Sequence, residues 1–466
     1  MGEPSPDRDG RATQESRSGD RSRSGPGLAE SVFNRRTLIC CFTGFASGLP
    51  FYFLIQLLPA WLRTEGVGLK EIGFFALVQL PYVWKFAWAP LVDRYSLPFL
   101  GRRRGWMLAT QVGLFASMAV LGVWQPAGEL QLIVVASFIV AMFSATQDIV
   151  LDAYRRELLP DRELGLGNAV HVQTYRISGL VPGALGLVLA DHLPWSVVFP
   201  VIAAFMAVGV LMTLFVAEAV TEPRAPTSLK QAMVEPFREY WTRRGWRYAS
   251  AALAFMVLYK LGDSMATALS TPFYIDLGFS LTEIGVVAKN AALWPSIIGG
   301  ILGGILMVKI GINRALWAFG VVQLVTILGF AVLAEVGRST ITLGIVIAFE
   351  YLGVGLGASA FVAFIARETV PALAATQIAL FTALTALPRT LANAITGFLV
   401  EGGDPGTLEG PEAWLMAALV AVGLPPDGLG WTRFFILCTV IAVPGMVLLV
   451  WLAPLKEPDP SQGSQP

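Results

Sequence analysis

The chain has 466 residues, 55% of them hydrophobic and only 14% charged, with 33 Lys and Arg balancing 33 Asp and Glu. Water alone cannot solvate so apolar a surface, so lipid is part of the solvent and a water-soluble globular domain is excluded. Zero net charge gives no reason to expect nucleic acid, and Cys40, Cys41 and Cys438, all in apolar stretches, have neither disulfide nor metal spacing.

Residues 1–34 are mainly Ser, Arg, Gly, Pro and Asp, a composition that cannot bury enough surface to offset its ordering entropy, and they read as a disordered tail. Arg35-Arg36 before an apolar run resembles a twin-arginine signal. The run continues to about residue 62 without a small-residue cleavage site, so it reads as a first span with a basic anchor. A membrane helix needs about 20 predominantly apolar residues. Such windows lie near 37–62, 70–92, 105–124, 130–154, 164–190 and 195–217, and again near 247–274, 281–308, 313–334, 339–366, 373–400 and 433–453. The expected fold is therefore all-α and polytopic, with 12 transmembrane helices in two six-helix bundles, 35–217 and 247–455. A polar linker at 218–246 separates the bundles and a short tail, 456–466, ends the chain. Residues 413–424 are apolar but too short to span, and turn residues bracket them. They read as an interfacial helix inside an external insertion, 402–430.

Basic residues flanking spans are retained in the cytoplasm. With both termini inside, most of the 33 Lys and Arg fall on the cytoplasmic side, and only Arg63, Lys70, Arg338 and Arg433 fall outside. Five more, Lys85, Arg176, Lys260, Lys289 and Arg389, lie within spans.

An internal repeat supports two similar halves. Gly66, Leu69, Glu71, Ile72 and Gly73 recur as Gly278, Leu281, Glu283, Ile284 and Gly285. Arg156-Glu157 recurs as Arg367-Glu368, and Arg176 as Arg389, at nearly the same offset. This parallel duplication resembles the halves of major facilitators. The loop after the second span resembles their G-x-x-x-D-R-x-G-R-R motif in Asp93-Arg94 and Gly101-Arg102-Arg103-Arg104. It departs from the motif at Ala89 and in the spacing before Gly101. The plainer reading is an ordinary basic loop; the functional one is a charged latch, with Asp93, Arg94 and Arg102 as gating residues.

Nine ionisable residues fall within spans, the five cations together with Asp148, Asp152, Asp263 and Glu350. At about 2.5–3.5 kcal/mol each on insertion scales, nine facing lipid would cost on the order of 20–30 kcal/mol, so they line a wet cavity or pair. They occupy the second, fourth, fifth, seventh, eighth, tenth and eleventh spans and leave the third, sixth, ninth and twelfth free. Asp148 and Asp152, four apart, share a helix face and resist ionising together, which suits a proton site. Asp152 beside Arg155 also reads as a gate pair, and Lys260 with Asp263 as a structural pair. Arg176 and Arg389 cannot deprotonate and read as substrate or gate contacts. Trp294, Tyr175, Tyr259 and Tyr351 fall deep in spans, where packing is the simpler reading and sugar stacking the other. Gly44 and Gly48, and Gly299, Gly300, Gly303 and Gly304, make faces for close helix approach. Pro50 after Gly48 loosens the helix and suits a hinge.

Gly44-Phe-Ala-Ser-Gly-Leu-Pro50, Glu71-Ile-Gly-Phe-Phe75, Asp93-Arg-Tyr95, Gly101-Arg-Arg-Arg-Gly-Trp106, Gln147-Asp-Ile-Val-Leu-Asp-Ala153 and Leu258-Tyr-Lys-Leu-Gly-Asp263 resemble the AmpG muropeptide permeases of Gram-negative bacteria, from about residue 36 to 455. The resemblance implies a proton-driven inner-membrane importer of N-acetylglucosaminyl-1,6-anhydro-N-acetylmuramyl peptides that feeds cell-wall recycling and β-lactamase induction. It also implies functional roles for Gly48, Ala145, Gln147, Asp148 and Asp152.

The expected substrate residues are Lys85, Gln147, Arg176, Tyr259, Lys260, Lys289, Glu350 and Arg389. Those for protons are Asp148, Asp152 and Asp263, and those for gating or hinge motion Gly48, Pro50, Asp93, Arg94, Arg102 and Ala145. The expected partners are an anionic solute, protons and lipid, for a monomer without cofactor or metal. An acetyl-coenzyme A or siderophore carrier is the alternative. A membrane enzyme would need a clustered catalytic set, which two isolated histidines, His171 and His192, do not supply, and a channel would need repeated filter residues.

Overall fold

The computed structural model describes residues 34–97, 100–218, 238–370, 374–404, 406 and 410–455. The expected N-terminal and C-terminal tails, most of the central linker and the side chain of Asp93 lie outside the described residues. Apart from one bridge between Leu97 and Gly101, regular structure among the described residues is helical.

Helix α1, Arg35–Thr64, is capped by the Asn34 side chain, which accepts from the Thr37 N–H. It passes through Pro50 and a π-helical turn, Phe53–Leu57. Helix α2 is a broken run, Leu69–Phe74, Leu80–Trp84 and Ala89–Arg94, joined by tighter 3-10 turns. Then come α3, Arg102–Leu121, α4, Pro126–Leu158, and α5, which is Asp161–Ser178 continued through a second π turn, Val181–Leu185, to Ala190. Helix α6 is Trp195–Phe215 and α7 is Trp246–Asp276, interrupted at Tyr259-Lys260. The stretch Leu281–Val336 holds a third π turn, Ile284–Ala288, and breaks at Gly311. There φ is +78°, open to glycine at little cost, and we label its parts α8, residues 281–310, and α9, residues 312–336. Helix α10 is Thr340–Glu368 and α11 is Ala374–Ala394 followed by Thr396–Glu401. The insertion contains α12, Pro411–Ala421, and the last helix, α13, is Gly430–Leu452.

Each of the twelve apolar windows thus coincides with helix, and eight stretches are long and apolar enough to cross a bilayer. Small residues set the closest approaches. A Cβ on Gly44 or Gly48 would strike the His171 or Tyr175 carbonyl, so these glycines let α1 lie directly on α5. Of the four glycines singled out on α8, Gly299 and Gly303 serve this way, against α10, whereas Gly300 and Gly304 face open space. In the insertion, Met416 is buried and Trp414 is exposed, and the Gly403 N–H donates to the Pro426 carbonyl.

Candidate functional site

A cavity of about 410 Å³ lies between the halves of the chain, lined from α1, α2, α5, α7, α8, α10 and α11. Its polar lining includes Tyr52, Gln56, Gln79, Arg176, Thr271, Lys289, Tyr351 and Asn393. The three π turns lie beside it. A π turn inserts one extra residue and re-aims the side chains of its helix, which is why such turns gather at functional sites. The first carries Gln56, the second follows Arg176, and the third ends immediately before Lys289. At Gly183, in the second turn, a Cβ would collide with the Gln56 amide oxygen and also meet the Lys289 chain, so these two side chains converge there. The Gln56 Oε1 atom is buried without a hydrogen-bond partner.

The five intramembrane cations separate into two kinds. Lys85 sits 3.6 Å from Asp148, and Lys260 donates to Asp263 at 2.9 Å. The other three have no carboxylate within ion-pair distance among the described residues. Lys289 is buried and donates to the Thr271 hydroxyl at 2.8 Å, Arg389 donates to the Thr385 carbonyl at 3.1 Å, and Arg176 lines the cavity. Of the eight predicted substrate residues, Arg176 and Lys289 line the cavity; Lys85, Gln147, Tyr259, Lys260, Glu350 and Arg389 do not. Tyr259 instead donates to the Leu316 carbonyl and stacks on Phe361, so it packs α7 against its neighbours.

Asp148 and Asp152, predicted as a pair, take different partners. Asp148 accepts from the Ser47 hydroxyl and faces Lys85, while Asp152 is exposed and bonded to Arg155 at 2.9 Å. Arg155, one turn along the same helix, reaches Asp152 more readily than Asp148 does.

Gln147 has a separate task. Pro50 lacks the N–H that would close a helical bond to the Ala46 carbonyl. The Gln147 amide donates to that carbonyl at 2.9 Å, across from α4. Next to it, Ser47 bonds Asp148, so α4 holds α1 by two adjacent contacts at the proline, and Ala145 is fully buried beside them.

Polar contacts close one end of the cavity between the halves. Arg63 donates to Asp276 at 2.6 Å and lies 3.7 Å from Glu401, Glu401 also accepts the Leu69 N–H, and Asp191 accepts the Thr282 N–H. Gly73 and Gly397 let α2 and α11 meet backbone to backbone there. At about 1–2 kcal/mol, loss of the partly buried Arg63 contacts changes a two-state population by roughly 5- to 30-fold. Arg63→Ala should therefore raise labelling of a cysteine placed at Ser296, in the cavity, by a membrane-impermeant thiol reagent from the Arg63 side. Labelling equal to that with Arg63 intact would show that the seal does not depend on it.

Burial alone would raise the Asp191 carboxyl, but hydrogen bonds from Thr282 outweigh burial and hold it below its ordinary value. A depressed carboxylate stabilises the state that binds it above its ordinary pKa of about 3.9, and that contribution is lost as pH falls through the depressed value. The Asp191–Thr282 contact should therefore keep its strength from neutral pH down to about pH 5. The difference in Ser296 labelling between the protein with Asp191 and an Asp191→Asn variant should be flat over that range, and loss of that difference between neutrality and pH 5 would contradict it.

At the opposite end, Glu157 receives Arg103 at 2.7 Å and Arg102 at 3.4 Å, and Glu218 accepts the Arg103 and Arg104 N–H groups at the start of α3. Arg94 is exposed, over the Tyr95 ring. The repeat partner of Glu157, Glu368, is fully buried and takes Arg244, Tyr240 and Tyr248. The basic loop is thus bonded to α4 through Glu157, with Arg103 making its shortest bonds.

A helical membrane protein with a polar, cation-bearing cavity between two halves, sealed by ion pairs at one end, is a carrier, and comparison with known proteins agrees. Residues 40–393 match the Major Facilitator Superfamily model. The chain is 46% identical over 439 residues to an uncharacterized protein of Haemophilus influenzae, covering 92% of this chain and 97% of that one. It is 38% identical over 417 residues to the anhydromuropeptide permease of Escherichia coli K12, covering 89% and 79%. A mutant of the nucleoside transporter NupG superposes with a TM-score of 0.68 at 13% identity, covering 90% of this chain and 99% of that one. A D-xylose-proton symporter gives 0.64 at 13%, covering 90% and 97%. The chain belongs to the Major Facilitator Superfamily and, within it, to the AmpG family. It is a membrane-spanning transporter and not an enzyme.

Proposed function

We propose that this transporter imports anhydro-muropeptides, N-acetylglucosaminyl-1,6-anhydro-N-acetylmuramyl peptides, from periplasm to cytoplasm, driven by protons and working by alternating access. The observation that carries this reading is the set of cations without carboxylate partners among the described residues, Arg176, Lys289 and Arg389, two of which line the cavity. Cations held at that depth demand an anion, and muropeptides carry several carboxylates. The name of the Escherichia coli relative supports this substrate over other anions. At about 2.3 kcal/mol per charge per 100 mV, each net positive charge moved inward supports roughly fifty-fold accumulation, so the potential drives import only where protons outnumber the substrate's net negative charges.

The chain would sit in the bacterial inner membrane with twelve crossings, both termini cytoplasmic and the halves 35–217 and 247–455 rocking about the cavity. The Arg63 seal would then face the periplasm and the Glu157 and Glu368 latches the cytoplasm. Supply of cell-wall recycling and of the β-lactamase induction signal follows from that direction of import. Competition tests the substrate. Unlabelled muropeptide should displace labelled muropeptide from the purified protein, whereas acetyl-coenzyme A and a ferric siderophore should not. Displacement by either of those would favour a carrier of that other anion.

A further inference from the structure

The two carboxyls in the second half are arranged differently from Asp148. Asp263 lies in the first turn after the interruption of α7, and its Oδ2 atom takes Lys260 at 2.9 Å. Its Oδ1 atom is buried without a partner. Glu350, on α10, is 1% exposed and lies against Asp263 and Thr326, and its Oε2 atom is also buried without a partner. Two adjacent carboxylates shielded from water repel each other, and the single ammonium beside them is already engaged. Two orphaned acceptors cannot satisfy one another, but a carboxylic acid donates one hydrogen bond and a carboxylate accepts it. One proton therefore repairs both orphans at once.

The charged and titratable groups facing this pair are Lys260, Arg389, Tyr259, Tyr274, Tyr351 and Cys438. The chain neighbours Ser264 and Tyr351, each one residue from a carboxyl, line the cavity, and the two carboxyls lie behind that wall.

We propose that Asp263 and Glu350 share one proton and that this is the proton carried in each transport cycle, Glu350 accepting it on the sealed side's opening and releasing it on the other. No bond other than O–H forms or breaks. The inference rests on the proton-driven reading above and specifies its site.

Infrared difference spectra of the reconstituted protein across an alkaline titration test it without any substrate. Wild type should show a protonated-carboxyl band, shifted in heavy water, which Glu350→Gln abolishes and Glu350→Asp retains. Asp263→Asn should remove it as well, because Glu350 then ionises against Lys260. In proteoliposomes, Glu350→Gln should lower pH-driven muropeptide accumulation to the equilibrium level. A band unchanged in Glu350→Gln, or accumulation at the wild-type level in that variant, would overturn the proposal. If wild type moved no muropeptide at all, the substrate reading would fail and the infrared result would still decide the proton site.

Discussion

Lys289→Met should raise the KM for muropeptide transport roughly 10- to 100-fold while leaving at least as much folded protein in the membrane. Charge-assisted hydrogen bonds contribute about 1.5–3 kcal/mol, and among the described residues Lys289 has only the Thr271 hydroxyl to itself until an anion arrives. The empty carrier meanwhile bears the cost of a buried ammonium, about 2.5–3.5 kcal/mol on insertion scales. Methionine keeps the length of the chain and removes that cost, so stability and affinity should move in opposite directions. That split separates a substrate contact from a structural one. A variant with normal KM and lower thermal stability would mean that Lys289 supports packing. Thr271→Val should be milder, because the ammonium remains.

The second large effect falls on a residue whose importance lies in the backbone. Gln147→Leu should nearly abolish transport, since it leaves the Ala46 carbonyl unsatisfied inside the membrane, where each such group costs several kcal/mol. Pro50→Ala in the same chain should restore activity, because alanine supplies the N–H that proline lacks and closes the helical bond to Ala46. Rescue of this kind is specific. If the double variant were as impaired as Gln147→Leu, then Gln147 would act through some other contact.

This pair shows which parts of the molecule are legible in the sequence. Pro50 and Gln147 both stand out there, yet a periodic pattern says nothing of which carbonyl a proline frees or which helix, some hundred positions away, can fill it. The apolar windows are legible because lipid imposes one simple rule on every span. The breaks within them are not, because a segment such as Ile284–Ala288 is an ordinary apolar run whose π turn arises from packing.

Charge has the same limits. The cost of burying an unpaired cation in lipid is enough to direct Lys289 and Arg176 to a cavity, and the three-residue spacing of Lys260 and Asp263 predicts their pair. Asp148 and Asp152 also have helical spacing, but Lys85 and Arg155 compete for them. Neutral groups leave almost no signal. Gln56, polar in the middle of the first span, is conspicuous on that ground, whereas Thr271 and Asn393 are not. Arg63 reads from sequence as a loop residue, and its bonds to Asp276 and Glu401 join segments more than 200 residues apart.

The most direct test of the whole account is uptake of labelled N-acetylglucosaminyl-1,6-anhydro-N-acetylmuramyl tripeptide into proteoliposomes containing the purified protein, with the outside made acidic. Accumulation above the external concentration, collapsing when a protonophore is added, is the expected result. Equal concentrations inside and out, or accumulation indifferent to the protonophore, would contradict it.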